Sequence, residues 1–245
     1  MNINSPLYQR CKCQLSQSPL FRGLSDEILS NMLGHFQLET WNRGTLVEPS
    51  SLIERFHLIL EGRVKIEYID AESGDQVILF IMGPGEGFDV ITLLDGQPHS
   101  ITPVVLDDLL LLTTSMQTVR EWINRYPEFN RNFLPYLGEQ MRALEELAMD
   151  LATKDTATRL ARLILRHTIP DSTSEKGPHT VRLIHDLSHD ALAHMIGSTR
   201  QVVNRHLQAL RHKGILAGQT RHRVVMELEA LKLKAEKFLS HDFRI

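Results

Sequence analysis

The stretch Leu187–Leu216, LSHDALAHMIGSTRQVVNRHLQALRHKGIL, constrains the fold of this 245-residue chain more than any other. Ser188 is a natural helix N-cap, because its hydroxyl can accept one of the backbone N–H groups orphaned at a helix start. Leu192 and Ile196 then fall four apart on one face with Ala193 beside them, and Gly197 ends the helix where a positive φ carries no steric cost. Thr199 caps a second helix, whose Val203, Leu207 and Leu210 are spaced four and three apart. Two short amphipathic helices joined by a glycine turn predict a helix-turn-helix, with the small Ala193 and Gly197 letting the helices approach closely.

The outward face of the second helix carries Arg200, Gln201, Asn204 and Arg205. Arg can bond both major-groove acceptors of guanine, and Gln or Asn can pair with adenine in the same bidentate way. Ser188, His189 and Thr199 complete the predicted DNA-facing set. After Gly214, two short apolar runs, Ile215–Ala217 and Val224–Leu228, are joined by Gly218–Arg223. They predict a β-hairpin wing whose basic tip (Arg221, His222 and Arg223) lies near phosphate oxygens. The plainer alternative is a small three-helix core with a solvated charged face.

Charge divides the chain in the same sense. Up to Lys154 there are 12 Lys+Arg against 21 Asp+Glu, a net of −9, and from Asp155 onward 15 against 9, a net of +6, giving the overall −3. Between Arg182 and Arg223 seven basic residues face two acidic ones, Asp186 and Asp190. A basic C-terminal domain on an acidic body is the electrostatic footprint of a nucleic-acid surface. No apolar run approaches the ~20 residues that span a bilayer, and the N-terminus lacks the apolar stretch of a secretory signal, so the expected location is cytoplasmic. Cys11 and Cys13 are the only cysteines, too few for a disulfide framework, a structural zinc site or a four-thiolate cluster by themselves.

The remaining sequence reads as an α+β arrangement. Residues 1–35 look mostly helical, with Ser25 capping DEILSNML. Residues 36–118 carry short strands, clearest at Phe56–Leu60, Val64–Ile69, Val77–Met82, Thr102–Leu106 and Leu109–Thr113, which predict an antiparallel barrel or jelly roll. One long helix follows, about Glu128 to Thr153. Its Leu134, Leu137, Met141, Leu144, Ala148 and Leu151 repeat at spacings of 3, 4, 3, 4 and 3. Six hits on a heptad seam point to a partner helix in a parallel two-fold dimer, the alternative being packing on the chain's own β-domain. Asp155 caps a further helix, Thr156–His167, which opens the C-terminal domain, and the polar loop Ile169–His179 is expected to be exposed. The predicted divisions are a β-barrel sensor domain over 1–125, a dimerisation helix over 126–154 and a winged helix-turn-helix domain over 155–245.

Taken together, IGSTRQVVNRHLQAL, the strand–turn LILEGRVKI (Leu58–Ile66) and the order β-barrel, dimer helix, winged helix-turn-helix resemble the CRP/FNR family of bacterial transcription regulators. The resemblance covers essentially residues 15–230. It implies a homodimer that binds a two-fold symmetric operator, contacts RNA polymerase, and changes affinity with a signal sensed by the β-domain. It also implies base contacts from the first, second and sixth residues of an Arg-Glu-x-x-x-Arg pattern, which here are Arg200, Gln201 and Arg205. Gln201 replaces an acceptor suited to cytosine with an amide suited to adenine, predicting an operator that departs from the family's TGTGA-like half-site at that pair. His206 stands where the family usually has an apolar residue.

The segment MGPGEGFDVITLLDGQPHSITPVV (Met82–Val105) is similar to the family's phosphate-binding cassette. Aligned on Gly96, Asp89 takes the place of a ribose-binding glutamate, and His99 and Ser100 take those of an Arg-Ser pair for cyclic phosphate. No Arg or Lys occurs from Gly83 to Val105, so an anionic phosphate lacks its permanently charged partner. The positions implied to contact the nucleobase from the dimer helix are Leu144 and Glu145. The expected effector pocket is therefore Gly85, Glu86, Phe88, Asp89, His99, Ser100, Leu144 and Glu145, with an effector other than cyclic AMP. The family also senses gases through haem, for which His57, His99, Met82 and Met141 are the candidate ligands, so the cofactor is left unassigned. A nucleotide-sensing module without a transcriptional role is the alternative function. An enzyme is not expected: His189 and His194 are five apart and share no helical face, and no nucleophile elbow, P-loop or paired-carboxylate motif is present.

Overall fold

A computed structural model of the chain describes residues 5–45, 47, 49–169, 178–218 and 223–236. By contact density it divides into two compact units, Met1–Asp75 with Leu79–Ala143, and Gln76–Ile78 with Leu144–Ile245.

The chain opens with α1 (Pro6–Gln17) and α2 (Asp26–Gly34), capped by Ser5 and Ser25, whose hydroxyls accept from Tyr8 and Ile28. Then come β1 (Gln37–Trp41), the short α3 (Pro49–Glu54), β2 (Arg55–Glu61), β3 (Val64–Ile69), β4 (Gln76–Met82) and β5 (Gly87–Phe88). After these follow α4 (Val90–Asp95), β6 (Thr102–Val105), β7 (Leu109–Ser115), α5 (Met116–Arg125) and the 27-residue α6 (Pro127–Thr153). The strands make two antiparallel sheets, β1-β7-β2-β5 and β4-β3-β6. Of the expected barrel or jelly roll, the two open sheets correspond to the jelly roll. Short helices α3 and α4 interrupt the strand region, where the sequence offers too few turns of periodicity to announce them.

Strand β2 shows why the chain folds this way. Its side chains alternate, and both faces are apolar. Phe56, Leu58 and Leu60 enter a core built with Leu15, Phe21, Met32, Phe36, Trp122, Phe129 and Phe133 from the helices. Ile59 points the other way, into a second core with Val64, Ile66, Met82, Phe88, Val105 and Leu111 between the sheets. The β2–β3 turn depends on Gly62: it sits at φ +83°, and a Cβ there would lie 2.5 Å from the Asp108 carbonyl oxygen. Beside it, Arg63 forks onto Asp107 through Nε (2.6 Å) and Nη2 (2.9 Å).

The second unit begins in the last turns of α6. Asp155 ends the break after Thr153 and caps α7 (Thr156–Arg166), its Oδ1 accepting from the Thr158 amide at 2.7 Å. Asp150 of α6 is buried, 2.8 Å from Arg162 Nε and 3.1 Å from Arg166 Nη2, which ties the end of α6 to α7. Two strands absent from the expected set, β8 (Thr168–Ile169) and β9 (His179–Val181), flank residues 170–177, so most of the predicted exposed loop falls outside the described residues. They join β10 (Leu216–Ala217) and β11 (Val224–Val225) in a four-stranded sheet of order β10-β11-β9-β8. Between β9 and β10 stand α8 (His189–Met195) and α9 (Arg200–His212), and α10 (Leu228–Ala235), also absent from the expected set, closes the unit.

Candidate nucleic-acid interface and effector cavity

Both helices of the helix-turn-helix start as their caps dictate. Ser188 Oγ accepts from the Ala191 amide (3.1 Å) and Thr199 Oγ1 from the Val202 amide (3.4 Å). Gly197, at φ +56°, makes the turn. A Cβ there would meet Leu151 Cδ2 at 2.8 Å, so the Leu151 side chain would have to shift, and the positive φ is what favours glycine. Leu192, Ala193, Val203, Leu207 and Leu210 are buried, which leaves the opposite face of α9 to solvent.

That face and the start of α8 form one groove, lined by Ser188, His189, Asp190, Arg200, Gln201 and Asn204. Five of these six belong to the predicted DNA-facing set. Gln201 and Arg205 are exposed and four apart, so they share a face. Arg200 Nη1 lies 3.6 Å from Asp190 Oδ2 across the groove. Asp190 is the residue sequence reasoning passed over, although its place in the first turn of α8 is where a carboxylate favours the helix dipole. Both partners are largely exposed, so the pair is weak and readily exchanged for a base edge. Burial, with Arg223, Arg211 and Arg200 nearby, lowers the pKa of His189 and keeps its ring neutral at pH 7.

Arg223 is not at the surface. Its side chain is buried, with Nη1 donating to the carbonyls of Ile184 (2.9 Å) and His185 (3.0 Å) and Nη2 to that of Leu187 (2.5 Å). Burial pushes its pKa down to about 10, which leaves it charged at neutral pH. The expected phosphate contact is corrected to an internal clamp, because three carbonyls in the approach to α8 converge on one guanidinium. Arg221, the other wing-tip candidate, lies outside the described residues. His206, the other departure on α9, bonds Thr156 Oγ1 through Nε2 (3.0 Å) at the start of α7.

On α6, Leu134 and Met141 are 62% and 71% exposed, and Ala148 is exposed too. Leu137 is half-buried against the helix-side core of the first unit, and Leu144 is half-buried. Leu151 is 37% exposed, with its Cδ2 close to Gly197.

In the first unit a cavity opens among Ile66, Leu79, Phe80, Met82, Ile91 and Ile101, with Asp89, His99 and Gln140 as its polar groups. Asp89 holds a left-handed backbone (φ 60°) and caps α4, accepting from Thr92 N at 3.3 Å. The same oxygen, Oδ1, lies 3.2 Å from His99 Nδ1. Of the expected pocket residues, Asp89 and His99 are therefore brought together. Gly85 and Glu86 form the preceding turn, with Glu86 Oε2 accepting from the Gly83 amide (2.7 Å). Phe88 is buried with its ring stacked on His57 at 5.0 Å, and Ser100 is exposed and does not line the cavity. Leu144 and Glu145 do not line it either; Gln140, one turn earlier on α6, does. Among the described residues no Lys or Arg lines the cavity. The nearby Arg120 is engaged with the carbonyls of Leu93 (2.7 Å) and Thr92 (2.9 Å). To a cyclic phosphate this lining offers a carboxyl group and, among the described residues, no Lys or Arg for a charge-assisted bond. The haem candidates are scattered: Met82 and His99 line the cavity, His57 sits in the core between Trp41 and Phe88, and Met141 is exposed. Cys11 is buried and Cys13 exposed, and among the described residues no cluster of three His, Cys, Asp or Glu residues can hold a metal.

Comparison with known proteins matches both units. Residues 158–233 match the Crp-like helix-turn-helix domain family, and residues 44–126 match the cyclic nucleotide-binding domain family. Among curated relatives, a CRP-like cAMP-activated global transcriptional regulator from Mycobacterium tuberculosis is 25% identical over 225 residues, covering 90% of this chain and 98% of the relative. A global nitrogen regulator from Synechocystis is 26% identical over 201 residues, covering 81% and 86%. Among solved structures, a CooA variant from Carboxydothermus hydrogenoformans superposes with a TM-score of 0.69 at 21% identity, covering 86% of this chain and 97% of that one. Among the described residues no helix is long and apolar enough to cross a membrane.

Proposed function

Since this chain belongs to the CRP/FNR family of transcription regulators, we propose that it is a homodimer whose two α9 helices read a two-fold symmetric operator, under control of an effector other than cyclic AMP bound in the β-domain cavity. The observation that carries this is the groove where Arg200, Gln201 and Asn204 stand beside Ser188 and His189. Arg200, Gln201 and Arg205 read base edges, and the two caps and basic side chains around them face the phosphates. The exposed Leu134, Met141 and Ala148 form the dimer seam, which sets the recognition helices about one DNA turn (~34 Å) apart.

Regulation is a population shift. The break between Thr153 and Asp155 has two arrangements, and the effector changes their balance only by its difference in affinity for the two. We further propose that the protein contacts RNA polymerase and works in the cytoplasm. The test is operator selection from a randomised duplex library with the purified full-length protein. Enrichment of a two-fold symmetric site with half-sites one helical turn apart supports the reading; an unenriched or asymmetric pool contradicts it.

A further inference from the structure

Asp89, which lines the β-domain cavity, has one acceptor left unused. The Asp89 side chain is 2% exposed. Its Oδ1 is shared by the Thr92 amide and His99 Nδ1, while Oδ2 is buried and has no hydrogen-bond partner. The surrounding walls are aliphatic and aromatic, chiefly Leu79, Phe80, Met82, Ile91 and Ile101. A buried acceptor without a donor is costly, and a ligand that supplies one recovers that cost. An anion placed there meets a carboxyl group in a low-dielectric wall with no cation among the lining residues.

We infer that this cavity takes a small, mostly apolar molecule whose polar end is a hydrogen-bond donor to Asp89 Oδ2, and that it turns away phosphates and carboxylates. The inference rests on the cavity being the effector site and names the chemistry of what fills it. The apolar body packs against Phe80, Met82 and Ile101, and His99, 29% exposed, stands at the polar side of the cavity and holds the Asp89 carboxyl in place through Oδ1.

The experiment uses the full-length protein and three probes, 2-phenylethylamine, 3-phenylpropanoate and cyclic AMP, read by saturation-transfer NMR. Asp89→Asn is the informative variant: asparagine tolerates the left-handed backbone and still caps α4 through Oδ1, but presents an N–H where Oδ2 stood. Ile101→Trp fills the cavity and serves as a second control. The amine should bind the wild type, weaken at least tenfold in Asp89→Asn and be lost in Ile101→Trp, while the two anions leave the wild type unsaturated. Binding of 3-phenylpropanoate or cyclic AMP to the wild type, abolished by Ile101→Trp, overturns the ligand class and leaves the cavity as a site. Absence of binding by all three probes overturns both, as does amine binding that neither variant affects. Operator affinity measured on the same samples separates the layers: amine held in the cavity with no change in operator affinity supports the ligand chemistry and removes the effector role.

Discussion

Arg223 Nη2 lies 2.5 Å from the carbonyl oxygen of Leu187, the residue before the Ser188 cap of α8. Through this bond and those to Ile184 and His185, a residue at the edge of the wing fixes the path by which the chain enters the DNA-binding helices. The backbone adds its own tie, from the Arg223 amide to the His185 carbonyl at 3.1 Å.

Arg223→Ala leaves the carbonyls of Ile184, His185 and Leu187 without their side-chain donor. At roughly 1 kcal/mol or more per lost bond, the second unit should lose about 3 kcal/mol of stability, which denaturant melts will report. Operator affinity should fall with it, while the slope of log affinity against log salt stays unchanged. A phosphate-contacting arginine would instead lower that slope by about one per contact.

Met141 is 71% exposed, so placing a charge there should leave each protomer folded, within about 0.5 kcal/mol. In a dimer seam the same change buries an aspartate against its symmetry mate. Met141→Asp should therefore sediment as a monomer with unchanged circular dichroism and no measurable operator binding. A dimer of normal affinity would move the interface away from this face of α6.

Burial pushes the His57 imidazole down from 6.5 to about 4, opposed by Glu39 and reinforced by Arg55. Between those values the unfolded chain binds the proton and the folded one does not, so stability is lost as pH falls from 6.5 toward 4 and is unaffected above. The full window is worth about 3 kcal/mol. His57→Phe keeps a ring between Trp41 and Phe88. Chemical denaturation at pH 7 and pH 4.5 should show this variant losing about 2–3 kcal/mol less than wild type from the first unit. His167, lowered to about 4 by burial and then by Arg166, retains its own acid sensitivity in the second.

The recognition groove was legible in the sequence because its determinants are local. Ser188, Thr199 and Gly197 fix where α8 and α9 begin and turn, and a spacing of three and four then decides which side chains face out. The spacing along α6 likewise places Leu134, Met141 and Ala148 on its exposed side, with Leu137 and Leu144 half-buried. What the sequence concealed depends on distant partners. Arg223 follows a polar turn and reads as a solvent-facing cation; only the three converging carbonyls reveal it as an internal clamp. Strands β8 and β9 are two and three residues long, too short to show an alternation. The cavity gathers Ile66, Leu79, His99 and Gln140 from separate elements, so counting along α6 reached Leu144, one turn past the residue that lines it.

In the proposed function α9 reads bases and Gln201 is a specificity-determining side chain. Operator selection run in parallel with the wild type and Gln201→Glu tests it most directly. Gln201 is exposed in the groove and makes no bond to the rest of the chain among those described, so the substitution leaves the fold intact. Two-fold symmetric sites are expected from both proteins, differing at one base pair per half-site, adenine preferred by glutamine and cytosine by glutamate. Identical base preferences from the two proteins, or changes spread over the whole half-site, would contradict it.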